Sequence, residues 1–308
     1  MFDIVGKRFR LFLIAGVIIL ICIISLATFG LKSGIEFSSG SIVTVSFEQA
    51  VEQADLEQEL ASLGYDNVLI QRTGGGGFLI RTHELTSEDK ISLEGALAER
   101  FGQLSETEFN SVSPMVATET TRNAAIAVAV AAVGILLYIT WAFRRMPNPF
   151  HYGTCAVVAL LHDALVALGV FSILGGILGW EINMMFITGV LAVIGYSVNN
   201  TVVVFDRIRE NLRSDISADL AVVVNNSLVE TLSRSLNTSL TTLFVVLALL
   251  LFVGASIQNF AVVLLVGIVA GTFSSLCIAP QLLVVWERGE WGRFIKWLPL
   301  PRVKTKEG

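Results

Sequence analysis

The chain has 308 residues, of which 54% are hydrophobic and only 15% charged, with a formal net charge of −5. Ordinary soluble domains carry about 25% charged residues, so that class is excluded, as is a nucleic-acid binder built on an excess of basic charge. Cys22, Cys155 and Cys277 all lie in apolar runs, and the three histidines show no ligand spacing, which argues against a disulfide framework, a metal centre or any bound cofactor.

Six stretches are long and apolar enough to span a bilayer, at about 11–31, 123–143, 152–178, 183–205, 235–253 and 259–285. A helix of about 22 residues rises about 33 Å, enough for a hydrocarbon core of about 30 Å. Ser25-Leu26-Ala27 faintly resembles a signal-peptide cleavage site, but the apolar run is longer than a signal core, which favours an uncleaved anchor. The expected fold is a polytopic α-helical membrane protein with six transmembrane helices and a small α+β, ferredoxin-like extracytoplasmic domain after the first helix. The expected divisions are 1–31, 32–121, 122–286 and a tail at 287–308.

The 32–121 segment is strongly acidic and reads as a folded domain. Residues 41–47 alternate as a half-buried strand does, and 51–63 has apolar residues at helical spacing. Two more strands follow at 68–72 and 78–82. Gly74-Gly75-Gly76-Gly77 lies between them, which suits a hairpin tip rather than a phosphate loop. Thr86 with Asp89 forms a capping-box pattern opening a helix to Phe101, and a last strand is expected at 106–113. This strand–helix–strand–strand–helix–strand order is that of the ferredoxin-like fold.

The later spans are joined by short connections, except for residues 206–234. There Leu212, Ile216, Leu220, Val223, Leu228 and Leu232 fit one amphipathic helix lying along the membrane surface. Arg144, Arg145, Arg207, Arg209, Arg213 and Arg234 fall in alternate connections, on the same side as the basic residues at both ends. The positive-inside rule then places both termini in the cytoplasm and the large loop outside. The tail at 302–306 is expected to be disordered and near anionic membrane lipid.

Several polar groups interrupt the spans. Asp163, beside His162, sits in the middle of the third. A carboxylate at helix centre costs about 2.5–3.5 kcal/mol on insertion scales, so it should face the bundle interior. It is read either as a proton-sensitive group or as a structural hydrogen-bonding residue. Tyr196, Ser197, Asn199, Asn200 and Thr201 close the fourth span, and a passive anchor has no need of two adjacent amides there. Arg234 heads the fifth span, as a snorkelling charge or as a buried partner for the fourth. Asp206 and Arg207 belong to a helix-end charge cluster. Gly267, Gly271, Ser274 and Ser275 give the last span a small-residue face for close packing.

These pieces together resemble the SecF family, the smaller partner of SecD in bacterial protein export. The resemblance rests on Gly34-Ile35-Glu36-Phe37-Ser38-Ser39-Gly40, Leu161-His162-Asp163, the stretch from Gly195 and Tyr196 to Asn211, the 232–239 stretch around Arg234, and Phe273-Ser274-Ser275 with Pro280. It implies a non-enzymatic subunit of the bacterial inner membrane that acts with SecD and the SecYEG channel, with YidC and SecA as further contacts. Its substrate would be an emerging unfolded polypeptide, moved in late steps driven by the proton gradient. Two departures stand out. Family members usually read Gly-x-Asp-Phe-x-Gly-Gly after the first span, where this chain has Glu36 and Ser39. They usually carry Asn-Asp where it has Asn199-Asn200, and the resemblance implicates that aspartate in proton coupling. An amide cannot ionise, so autonomous coupling through this position is put in doubt. Half of a resistance–nodulation–division-type transporter, and a non-coupling scaffold for SecD, are the alternative readings.

Overall fold

The computed structural model describes residues 3–65, 68–72, 77–214, 219–252 and 257–292. Two compact units are present: Ser33–Ile126, and Met1–Lys32 together with Ala127–Gly308.

In the first unit a short helix α2 (Ile35–Ser38) leads into β1 (Gly40–Phe47), α3 (Gln53–Ser62), β2 (Leu69–Arg72), β3 (Phe78–Thr82), α4 (Ser87–Phe101) and β4 (Leu104–Val112). The sheet order is β2-β3-β1-β4 with every neighbouring pair antiparallel, the ferredoxin-like arrangement expected from the sequence. Val43 and Val45 of β1 point inward with Phe78 and Ile80 of β3, and meet Leu56, Leu60, Leu93 and Leu97 from the two helices. The alternation of β1 is thus the signature of one covered sheet face. Of the glycine run, only Gly77 lies within the described residues.

Helix α4 begins with the expected capping box. Thr86 Oγ1 accepts from the Asp89 amide at 3.2 Å, and Asp89 Oδ2 accepts from the Thr86 amide at 2.9 Å. The Thr86 backbone N–H, then its hydroxyl, hold the Asp89 carboxyl below the usual aspartate range. A depressed folded-state value means that this contribution is present above the ordinary aspartate titration and is lost as pH falls through the folded value. Asp89→Asn is therefore expected to accelerate amide hydrogen exchange at Glu88, position 89 and Lys90 near neutral pH. The difference from the parent should shrink as pH falls below the ordinary aspartate range. Equal exchange at neutral pH would show that the cap carries no stability.

The second unit holds α1 (Arg8–Phe29), the 127–142 part of α5 (Pro114–Ala142), α6 (Pro149–Leu178), α7 (Met184–Ser214), α8 (Leu220–Phe252), α9 (Gln258–Cys277) and α10 (Ala279–Glu287). Among the described residues six runs are long and apolar enough to cross a membrane, the last being Gln258–Glu287 with α9 and α10 in series. Pro280 stands in the first turn of α10, where its missing amide proton removes no bond from that helix but prevents α9 from continuing regularly. Helices α6, α7 and α9 form the interior, whereas α1, α5 and α8 turn most of their surface outward. Such apolar outer faces suit a hydrocarbon solvent.

One expectation is corrected here. The 206–234 connection is not a single helix along the membrane surface. Its first part continues α7 to Ser214 and its last part opens α8 at Leu220. Val223 and Leu228 are buried in the bundle core, with Leu212, Leu220 and Leu232 packed against it. The apolar periodicity was real, but its partner is protein rather than lipid. Ile216 and the tail at 302–306 lie outside the described residues.

The same end of the bundle is tied together by polar contacts. Asn225 Oδ1 accepts from the amides of Ile4 and Val5 at 2.8 and 3.2 Å, and Arg8 pairs with Glu290. Asp219 pairs with Arg288 and is held below the usual aspartate range chiefly by that guanidinium.

Candidate functional site

Asp163 lies inside the bundle, 2% exposed. A buried carboxylate needs donors, and they come from two other helices. Its Oδ2 accepts from Ser197 Oγ of α7 at 2.5 Å and from Ser274 Oγ of α9 at 2.8 Å. Its Oδ1 lies 3.0 Å from Nδ1 of the neighbouring His162, whose Nε2 is buried with no hydrogen-bond partner among the described residues. Short hydroxyl-to-carboxylate bonds are the strong, charge-assisted kind.

Those hydroxyls reach Asp163 because α7 and α9 approach closely. A methyl group on Gly267 would sit 2.1 Å from Val193 Cγ2, and one on Gly271 would sit 2.9 Å from Ser197 Cβ. Small residues permit this approach of backbones, and the hydroxyls then act across it.

A second polar group stands next to the first along α7. Asn200, 3% exposed, directs Nδ2 toward Ser239 Oγ of α8 at 3.4 Å. The Tyr196 hydroxyl donates to the same oxygen at 3.2 Å, and Thr272 Oγ1 of α9 lies 2.6 Å from it. Ser239 thus links three helices. Ser197 and Asn200 are three residues apart on α7 and share a face, so the two groups are neighbours. Nearby, Ser235 Oγ is buried without a hydrogen-bond partner among the described residues.

The other expected residues divide. Asn199 and Gly195 are exposed, away from these hydrogen bonds. Arg234 lies well inside α8 rather than at its head, and is exposed. The reading of Arg234 as a buried partner of the fourth span is therefore overturned: on α8 the inward positions are taken by Ser235 and Ser239. Asp206 pairs with Arg209, while Arg207 pairs with Glu210 and, at 2.6 Å, with Glu230 across on α8. Asn211 Nδ2 adds bonds of 2.9 Å to Glu230 and to Ser227. Glu230 had no signal of its own in the sequence.

Gly34, Glu36, Phe37 and Gly40 belong to the other unit and shape the entry to its sheet. Gly34 precedes α2, Ser39 takes a left-handed backbone at φ 63°, and Gly40 has φ 118°. A Cβ on Gly40 would lie 2.6 Å from the Thr82 carbonyl oxygen, so only glycine fits. Ser39 occupies the left-handed place where the resemblance expects glycine, which accounts physically for the family's preference there.

Six membrane-length helices among the described residues, joined by interhelical polar groups and carrying an acidic α+β unit, define a polytopic membrane protein rather than a passive anchor. The family model "Protein export membrane protein SecD/SecF, C-terminal" matches residues 93–289, and the SecD/SecF GG motif matches 24–51. The chain belongs to this SecD/SecF family. The protein translocase subunit SecF of Thermobaculum terrenum is 42% identical over 96% of this chain and 97% of its own length. That of Anaerolinea thermophila is 39% identical with the same coverage. A crystal structure of SecDF, a translocon-associated membrane protein from Thermus thermophilus, superposes with a TM-score of 0.80 at 32% identity. It is matched over 93% of this chain and 39% of the SecDF chain, so this chain spans about two-fifths of the longer protein.

Proposed function

We propose that the chain acts with SecD at the SecYEG channel of the bacterial inner membrane, promoting late, proton-gradient-driven steps in the export of an unfolded polypeptide, without enzymatic chemistry. Contacts with YidC and SecA belong to the same reading. Both termini lie in the cytoplasm and the acidic α+β unit outside, supported by the distribution of Lys and Arg.

The observation that carries the coupling reading is Asp163, a buried carboxyl bonded from two neighbouring helices. Adding or removing a proton there changes what Ser197 and Ser274 hold, and so biases how α6, α7 and α9 pack. One charge crossing 100 mV releases about 2.3 kcal/mol, enough to shift a two-state ratio about fiftyfold. Asn200 supplies a polar lining beside it, and the coupling acid usual in the family at that position is provided by SecD. Arg234 is exposed on α8 and so is available to that partner.

The test coexpresses SecD with Asp163→Asn or Asn200→Asp and follows gradient-dependent completion of export in membrane vesicles. Asp163→Asn is expected to abolish the response to the gradient while SecD still copurifies. Asn200→Asp is expected to change the pH dependence of export. Normal gradient dependence in both variants would leave the chain a scaffold whose partner performs the proton chemistry.

A further inference from the structure

At the end of α5, the turn that follows and the last part of α7 enclose a recess of about 320 Å³ lined by Ala142, Arg144, Arg145, Arg209 and Arg213. Four guanidinium-bearing residues and no acid line it among the described residues. Mutual repulsion among so many cations is unfavourable unless an anion sits among them.

Two of the arginines are held in place by neighbouring rings. The Arg144 guanidinium carbon is 4.6 Å from the Trp141 ring centroid, and Arg144 Nη1 donates to the Trp141 carbonyl at 3.1 Å. Arg209 lies over Phe143 at 5.6 Å, and its one acidic partner, Asp206, is outside the lining. Stacking restrains side chains that would otherwise lose much freedom on gripping a ligand. Arg144, Arg145 and Arg213 have no acidic partner among the described residues, and all three are exposed.

The surface beside the recess identifies the anion. Trp141 is 62% exposed, and Leu137 and Tyr138 are exposed one turn back along the same helix. Exposed Trp and Tyr at the end of an apolar helix mark the headgroup level of a bilayer, with Leu137 on the hydrocarbon side. A cationic recess continuous with such a surface matches a molecule that is anionic at one end and apolar at the other. We propose that this recess binds the phosphodiester headgroup of an anionic phospholipid, whose acyl chains run along Leu137 and Tyr138 of α5. The planar guanidinium fork suits phosphate oxygens, and a choline headgroup brings its own cation against the arginines.

The test uses the purified full-length chain in detergent, with bound lipid read by native mass spectrometry after titration with phosphatidylglycerol or phosphatidylcholine. Phosphatidylglycerol is expected to be retained in preference to phosphatidylcholine. The combined Arg144→Gln, Arg145→Gln, Arg213→Gln variant is expected to lower retention about a hundredfold, at roughly fivefold per arginine. Arg10→Gln, an exposed basic residue elsewhere in the bundle, should leave retention unchanged. Equal retention of the two lipids would overturn the proposal, as would an unaffected triple variant or an equal loss with Arg10→Gln. Inorganic phosphate at millimolar concentration lacks the acyl contact and should not displace the lipid; displacement would make this a site for a soluble anion instead. Should the triple variant fail to accumulate, Arg145→Gln alone decides, with about a fivefold loss expected and no loss overturning the assignment.

Discussion

Removing both hydroxyls that hold Asp163, in the double variant Ser197→Ala, Ser274→Ala, is expected to destabilise the bundle by about 3 kcal/mol. Hydrogen bonds to a charged group contribute about 1.5–3 kcal/mol each, and a buried acceptor left without donors bears its full desolvation cost. Neutral interhelical hydrogen bonds in membranes average only about 0.6 kcal/mol, so two of them would give about 1 kcal/mol. The measured size therefore reports whether the carboxyl is ionised. Adding Asp163→Ala to the double variant should recover part of the loss, because the carboxyl stripped of its two hydroxyl donors is gone, while His162 Nδ1 loses its contact with Oδ1 and keeps the recovery incomplete. Reversible unfolding in mixed micelles, compared across the parent, the double and the triple variant, supplies the numbers. A triple variant less stable than the double would show that Asp163 holds the helices together through contacts other than these two hydroxyls.

Gly267→Ala is the second large effect. The added methyl would lie 2.1 Å from Val193 Cγ2 and 2.8 Å from Val193 Cβ, distances that no real Cβ tolerates. Valine is stiff at χ1 and cannot swing aside, so α9 must move away from α7. Overpacking of this kind costs about 1–3 kcal/mol. The displacement also draws Ser274 and Ser197 apart, so gradient-dependent export should fall together with stability. Val193→Ala removes the two closest methyl carbons and is expected to restore part of both. Alanine at position 267 with unchanged unfolding and unchanged export would mean that α7 and α9 are not in this close contact in the working protein.

The two effects come from different kinds of information. The six spans were legible from the sequence because hydrocarbon offers the backbone no hydrogen-bonding partner, so each crossing must be a long apolar helix regardless of its neighbours. The α+β unit was legible for an equally local reason. The alternation of β1 and the Thr86–Asp89 capping box are set within a few residues, and both recur in the structure at the expected places. A buried orientation for Asp163 followed from the cost of a carboxylate in a bilayer alone.

What the sequence could not set is which groups meet across helices. Ser197 and Ser274 are far apart in the chain, and their convergence on Asp163 depends on the rotation and depth of three helices that only packing at Gly267 and Gly271 fixes. The same freedom explains Arg234: its sequence position suited either a buried or an exposed charge, and the inward turn of Ser235 and Ser239 sends it outward. The 206–234 stretch carried a real apolar periodicity, but periodicity specifies a face and not what covers it. Here the core reached by Val223 and Leu228 covers it, so the stretch became the ends of α7 and α8. Local chemistry thus determined the elements and their membrane character, while tertiary packing decided the partners of every buried polar group, because those partners are set by interhelical geometry that no short stretch of residues encodes.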